Sequence, residues 1–388
     1  MFAAAFLIAA VAAAPVATAV DIAEPEGVPV LSAESWKDLR LGAFETFRTQ
    51  VYGARPVERP ADLRFETSGD VPILGGRAVR RDVKLSSAGV RAPFSFTAHA
   101  FVPKGGAAKC PAFVYIYLGG RVIREKFDPS AEDPSTTSMP VAEIIRRGYA
   151  VIAFNNWDVA LDDKDKCFSS GVFAAWGPDA ATRRPNDWGA ISAWAWGASR
   201  VMDWIETQGD IDAGRVAVIG HSRGGKTALW AGVTDSRFAL ACVNDSGCTG
   251  AKLNHVKLPR SESIKVITKN FPHWFCPKYS SYVDREMSMP FDQHQLVALM
   301  APRAVAIASA TEDHWAGQYG EFLSGRLASP AWEAAGKKGL VAPDGYPPPG
   351  KALQGGWVSY HLRAGKHDLT AEDWGFYLDF ADARGKGK

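Results

Sequence analysis

One serine stands where it could act as a nucleophile. Residues Gly220-His221-Ser222-Arg223-Gly224-Gly225-Lys226 contain the pattern G-x-S-x-G. An apolar, β-branched run (215–219) ends at this segment, and a helical pattern (223–232) begins directly after the serine. Strand, sharp turn and helix together form the setting in which this pattern presents a serine hydroxyl at the edge of a sheet. Gly220 and Gly224 leave out side chains where strand and helix converge. Ser222 then lies by the positive end of the following helix. The competing reading is a glycine-rich turn with an ordinary serine, and the flanking strand and helix weigh against it.

Such a serine needs a base, and the base needs an acid. Of the eight histidines, His367 lies in Ala364-Gly365-Lys366-His367-Asp368, beyond the last strand-like run (358–362), where the base of a Ser–acid–His order belongs. His361 falls inside that run and reads as a packed residue. His221 faces away from the cleft if Ser222 faces it. Two acids compete: Asp245 ends the strand after the nucleophile helix, and Asp313 lies in Thr311-Glu312-Asp313-His314-Trp315 after a later one. Each keeps the order Ser–Asp–His, each could instead be a cap or turn residue, and spacing does not separate them. Lys226, four residues after Ser222, shares its helical face. Arg223 occupies the position whose backbone N–H serves an oxyanion hole, and its side chain could add a charged donor. Two cations at a helix N-terminus oppose the macrodipole, which favours a functional reading over a solvated helix end. No H-E-x-x-H, phosphate-binding loop or EF-hand pattern is present, so neither metal nor cofactor is expected.

The elements that would hold these residues are legible as short, unalternating apolar runs at 97–102, 112–118, 149–154, 215–219, 238–243, 304–308 and 358–362. Runs of this kind are strands buried on both faces of a mostly parallel sheet. Helical patterns at 140–147, 187–206, 223–232 and 373–383 fall between or after them. The alternation implies an α/β fold with helices flanking a central sheet, and polar residues cluster just past the strands, where such sheets bind ligands. Residues 71–388 are expected to form this catalytic domain, and 20–70 an N-terminal arm lying on it, with a short helix near 33–49.

Composition narrows the function. The chain has 388 residues, with 44 basic and 42 acidic side chains and a net charge of +2, which argues against nucleic acid as partner. The thirteen Trp suit either a sugar-stacking cleft or a core. Residues 2–20 are apolar, uncharged up to Asp21, and end in small residues around Ala17-Thr18-Ala19. They read as a signal peptide (1–19) lacking a basic start, so a secreted or periplasmic protein is expected. A membrane anchor is the alternative, and Pro15 and the Ala-rich composition count against stable insertion. Export would permit disulfides, but five cysteines leave one over and spacing assigns no partners. A monomer is expected.

Taken together, the motifs resemble a known family. GHSRGGK is similar to the G-C-S-R-x-G-K signature of carbohydrate esterase family 15, the glucuronoyl esterases. NDWGAISAWAWGASRVMDW, NDSGCTGA, NFPHWFC, MPFDQHQLVALMAPR and EDHWAG also resemble that family, over roughly residues 90–380. The resemblance implies an α/β-hydrolase fold and a serine esterase that cleaves esters between 4-O-methyl-glucuronic acid of glucuronoxylan and lignin alcohols. It implies Ser222 as nucleophile, His367 as base, Arg223 as oxyanion support, and Lys226, Glu262 and Trp315 as contacts to the uronate. His221 and Asp368 stand where fungal members carry a disulfide, so the chain resembles the bacterial type. Asp245 stands where many members have Glu and some bacterial members use the Asp313 position; Asp245 is taken as the main partner of His367, with Asp313 sharing the role. An acetyl xylan esterase, a serine peptidase on the same fold and a non-catalytic carbohydrate-binding protein are the rival readings.

Overall fold

The computed structural model describes residues 25, 27–106, 108–119 and 127–385; the apolar segment 1–19 read as a signal peptide lies outside them. The apolar runs assemble side by side because each lacks a polar face that could meet water. Eleven strands are described: β1 (Arg64–Thr67), β2 (Val71–Ile73), β3 (Ala78–Ser87), β4 (Phe94–Pro103), β5 (Cys110–Tyr117), β6 (Ala150–Asn155), β7 (Ile211–His221), β8 (Phe238–Asn244), β9 (Ala304–Ala310), β10 (Lys351–Leu353) and β11 (Val358–Arg363). Their order across the sheet is β1-β3-β4-β6-β5-β7-β8-β9-β11-β10, with β2 on β3. From β6 through β11 neighbours run parallel, while β1 to β4 add an antiparallel flank. The chain winds outward in both directions from β5. The crevice at such a switch point is where open α/β sheets place their sites, and Ser222 follows β7, the neighbour of β5. This is the α/β-hydrolase fold.

Alternate residues of β5 enter opposite layers. Ala112, Val114 and Ile116 join one core cluster, and Phe113 and Tyr115 join the other. The first layer is closed by the helix Ala190–Ile205, buried along its whole length, with Trp194, Trp196 and Trp204 wholly inside. The second is closed by the helix Ala371–Gly385, through Trp374, Tyr377 and Phe380. Most of the tryptophans are therefore core, whereas Trp315 stays 48% exposed.

The segment before residue 70 packs on the main body. Ser32 and Ser35 cap each other's backbone N–H at the start of the helix Ala33–Gln50. Trp36, Phe47 and Tyr52 are buried in the main core. The Tyr52 ring stacks on Trp230 at 4.5 Å, on the helix that follows Ser222, and β1 pairs with β3. Phe47 and Tyr52 touch each other at 6.5 Å between ring centroids, and the rest of their burial comes from long-range packing, which periodicity does not register. All five cysteines are free thiols.

Candidate active site

Ser222 sits between β7 and the helix Arg223–Thr234 with φ 58° and ψ −124°, a left-handed conformation that costs a non-glycine residue about 1–3 kcal/mol. The strain is held from both sides. Ser222 N–H donates to the Asn244 carbonyl on β8 at 2.9 Å, and its own carbonyl accepts from the N–H groups of Gly225 and Lys226 at 2.9 and 3.1 Å. The turn closes only over glycine: a Cβ on Gly220 would lie 2.2 Å from the Gly224 carbonyl oxygen, and one on Gly225 2.8 Å from the Asn244 carbonyl oxygen. The helix N-terminus thus begins at Arg223 N–H, beside the hydroxyl.

His367 lies on the loop after β11, with its side chain 40% exposed. Its ring centroid is 4.3 Å from that of His221, the residue preceding the serine. Its Nδ1 donates to Asp313 Oδ2 at 2.5 Å, because a carboxylate can only accept. Asp313 Oδ1 accepts from Ala316 N–H at 3.1 Å, so both carboxylate oxygens are held. The two loops are sewn together as well: Glu312 N–H donates to the Gly365 carbonyl at 2.8 Å, Thr311 N–H to the Arg363 carbonyl at 2.9 Å, and Gly365 N–H to Thr311 Oγ1 at 3.0 Å.

Asp245, expected as the main partner of His367, is placed differently from Asp313. Its Oδ2 is 4.0 Å from His367 Nδ1, beyond hydrogen-bond reach. It takes instead a 3.3 Å contact from Asp368 N–H, and its Oδ1 is buried with no partner. Burial, with the charges of Glu321, Asp313 and Asp373 nearby, pushes its carboxyl well above the usual carboxylate range, against the pull of Arg363. The shorter side chain at the end of β8 does not reach the imidazole; the acid at the end of β9 does.

Around the serine the other candidates are engaged with protein partners. Arg223 Nη1 forms a close ion pair with Asp162, and its guanidinium lies over Trp274 at 4.7 Å. Asp162 also accepts from His273 Nε2 at 2.8 Å and Trp274 Nε1 at 2.6 Å. Burial opposes ionisation of Asp162, but these hydrogen bonds and the Arg223 charge outweigh it and hold the carboxyl below its ordinary value. Lys226 is buried and spends all three N–H groups on the Ser246 carbonyl (2.6 Å), the Cys248 carbonyl (2.7 Å) and Glu262 Oε2 (2.9 Å). Glu262 Oε1 accepts from Trp315 Nε1 at 3.2 Å. Lys226, expected as a sugar donor, is here the clamp that orients Glu262 beneath the exposed Trp315. His361 is buried against Asp373 at 3.0 Å.

The sequence reading missed Asp162, His273, Trp274 and Glu321 as site residues. Asp162 is one acid of three in Asp162-Asp163-Lys164-Asp165, with no local mark to single it out. Glu321 lies fully buried under the β8 turn, where it accepts from Ser246 N–H, Ser246 Oγ and Gly247 N–H and from Ser309 Oγ at 2.7–2.9 Å. Burial pushes it up to about 7 despite those bonds.

A strained serine at a strand–helix elbow, a helix N-terminus beside it and a His–Asp pair on the adjoining loops define a class of protein, the carboxylic ester hydrolases of the α/β-hydrolase fold. The family model described as glucuronyl esterase, fungi, matches residues 91–336. A carbohydrate esterase designated MZ0003, from an unknown prokaryotic organism, is 36% identical over 92% of this chain and 87% of its own. The solved glucuronoyl esterase from Solibacter usitatus superposes with a TM-score of 0.81 at 34% identity, covering 94% of this chain and 98% of its own. A promiscuous CE15 esterase from a marine bacterial metagenome gives 0.77 at 33%, covering 92% and 96%. The chain belongs to the glucuronyl esterase family, carbohydrate esterase family 15.

Proposed function

We propose that this chain is a glucuronoyl esterase that hydrolyses the esters joining 4-O-methyl-glucuronic acid of glucuronoxylan to lignin alcohols. The observation that carries the reading is the placement of His367, bonded to Asp313 and in ring contact with the residue preceding Ser222. In the proposed reaction Ser222 Oγ loses its proton to His367 and attacks the uronate C6 carbonyl. Asp313 keeps the proton of the neutral imidazole on Nδ1, leaving Nε2 to accept, and stabilises the imidazolium that forms. Arg223 N–H, at the positive end of its helix, faces the developing oxyanion; such a donor is worth about 3–4 kcal/mol. The imidazolium then protonates the leaving alcohol. Water, deprotonated by His367, cleaves the acyl-enzyme, and the serine regains its proton as the uronic acid departs.

Glu262 and Trp315 are the proposed sugar contacts. One is a fixed carboxylate for hydroxyls, and the other is an exposed aromatic face. An acetyl ester offers nothing for either to hold. Steady-state kinetics on benzyl glucuronate and on 4-nitrophenyl acetate test the reading: kcat/KM is expected to favour the uronate ester by about two decades or more, as when a site's polar groups lose their partners. Equal or greater efficiency on acetylated xylan would assign the chain to acetyl xylan esterases instead, and binding of the uronate without turnover would make it a carbohydrate-binding protein. We further propose export, on the apolar segment 2–20; no helix among the described residues is long and apolar enough to cross a membrane.

A further inference from the structure

We propose that His221, His367 and Asp245 form a binding site for a transition-metal dication such as Zn2+, and that its occupancy switches the esterase off by taking the base. One nitrogen of each histidine and one oxygen of Asp245 lie within 4.8 Å of one another. The two rings are in contact at 4.3 Å. A single oxygen, Asp245 Oδ2, is 3.9 Å from His221 Nδ1 and 4.0 Å from His367 Nδ1, too far for hydrogen bonds yet shared evenly between them.

The independent sign of a ligand is Asp245 itself. Its side chain is 1% exposed, it orients neither histidine by a hydrogen bond, and its Oδ1 is buried without a partner. Its Oδ2 accepts from Asp368 N–H at 3.3 Å and Asn244 Nδ2 at 3.4 Å, but a buried carboxylate with its other oxygen unpartnered is costly and is ordinarily neutralised or bound to a cation. The guanidinium nearest to it, that of Arg363, stands off with Nη2 at 3.9 Å, which leaves a dication the closer approach.

The donor set narrows the ion. Two imidazoles and one carboxylate suit Zn2+ and its neighbours, whereas Mg2+ and Ca2+ want oxygen ligands. At metal–ligand distances of about 2.0–2.2 Å, tetrahedral ligand atoms stand about 3.4 Å apart, so the three must close by about 1.4 Å or less. His367 can supply this because its side chain is 40% exposed, and that same exposure gives the ion its entry; water completes the shell. Asn244 Nδ2 donates to His221 Nδ1 at 3.0 Å, so an ion that binds through Nδ1 displaces that amide and one that binds through Nε2 keeps it as an outer contact; Asp368 N–H lies 3.3 Å from Asp245 Oδ2. Whichever ring nitrogen of His367 binds, the base is lost: through Nδ1 the ion replaces Asp313 as partner, and through Nε2 it takes the lone pair meant for Ser222.

The inhibitory half of the proposal rests on His367 as the base; the binding half does not. The test is calorimetric titration of the full chain with Zn2+, with Co2+ as a visible-absorbing probe of coordination, in parallel with ester hydrolysis. One ion per chain is expected, with a Co2+ spectrum of imidazole–carboxylate coordination and activity that falls with occupancy and returns on chelation. His221→Ala and Asp245→Asn should each weaken Zn2+ affinity by about tenfold or more, while Ser222→Ala, inactive, should bind as wild type. His221 is partly exposed, so its variant keeps the test open should the buried Asp245 variant misfold. Unchanged affinity in His221→Ala, or no stoichiometric binding, would overturn the site. Full activity at full occupancy would overturn the switch. Undiminished turnover by Ser222→Ala would instead refute the esterase reading and leave the metal result standing.

Discussion

Replacing Asp313 by Asn removes the carboxylate 2.5 Å from His367 Nδ1 while keeping its size. With charge centres about 4 Å apart and an effective dielectric constant of about 20, the attraction between that carboxylate and the imidazolium formed during attack is about 4 kcal/mol, or about three decades of rate. The Asn amide can also turn its N–H2 toward Nδ1. That orientation favours the tautomer with the proton on Nε2, which cannot accept from Ser222, so the loss in kcat should approach about four decades. Asp245→Asn is a different substitution. At 4.0 Å, Asp245 makes no hydrogen bond to the imidazole, and its carboxyl, held far above its ordinary 3.8 by burial and the neighbouring carboxylates, resists ionisation. Its loss should lower kcat by less than about tenfold, and the double variant should depart from the product of the singles, because both carboxylates face one imidazole nitrogen. Stability should move the other way. A carboxyl whose folded-state pKa is raised binds its proton more tightly in the native state, so native stability falls as pH rises above the unfolded value. Asp245→Asn should therefore melt higher than wild type at pH 7–8, with the gain shrinking toward pH 4. The assays are kcat and KM on benzyl glucuronate and thermal melts across that range. An inactive Asp245→Asn beside an Asp313→Asn that keeps more than a tenth of wild-type turnover would refute the assignment.

Lys226→Ala should strand the buried Glu262 carboxylate and cost about 3–5 kcal/mol of stability, measured by denaturant unfolding; pairing it with Glu262→Gln should restore much of this. In the folded fraction its KM should rise for glucuronate esters more than for aryl acetates, because Glu262 loses its clamp; equal losses on both would show that the pair supports the site without reading the sugar. Ser222→Ala and Ser222→Gly should both abolish turnover, and the glycine variant should melt higher than the alanine variant, because φ 58° strains alanine by about 1–3 kcal/mol against about 1 kcal/mol of extra chain entropy for glycine. A lower melting point for the glycine variant would show that the elbow stores no such strain.

The sequence by itself determined the parallel sheet, the elbow and the chain order of Ser222, the two acids and His367, because these are written locally. Continuous apolar runs can be satisfied only between neighbours on both faces. The glycines at 220 and 225 stand where any Cβ would strike backbone, and a histidine after the last strand is a matter of chain order. The tertiary structure decided what depends on reach between distant segments. Asp245 and Asp313 end adjacent strands β8 and β9 and look alike in sequence. The choice between them is the difference between 4.0 and 2.5 Å to one nitrogen, set by backbone bonds joining Thr311 and Glu312 to Arg363 and Gly365. The partner of Arg223 comes from 61 residues away, chosen from a run of acids by its depth alone. Lys226 shares a helical face with the nucleophile, yet two carbonyls of the turn after β8 and the Glu262 carboxylate use every donor it has. How the segment before residue 70 packs on the body was likewise left to the fold, since Tyr52 finds its stacking partner in Trp230, far along the chain. Local pattern fixes which residues lie on a face, whereas a hydrogen bond or ion pair is decided within an ångström, and that last ångström comes from packing between elements far apart in the chain.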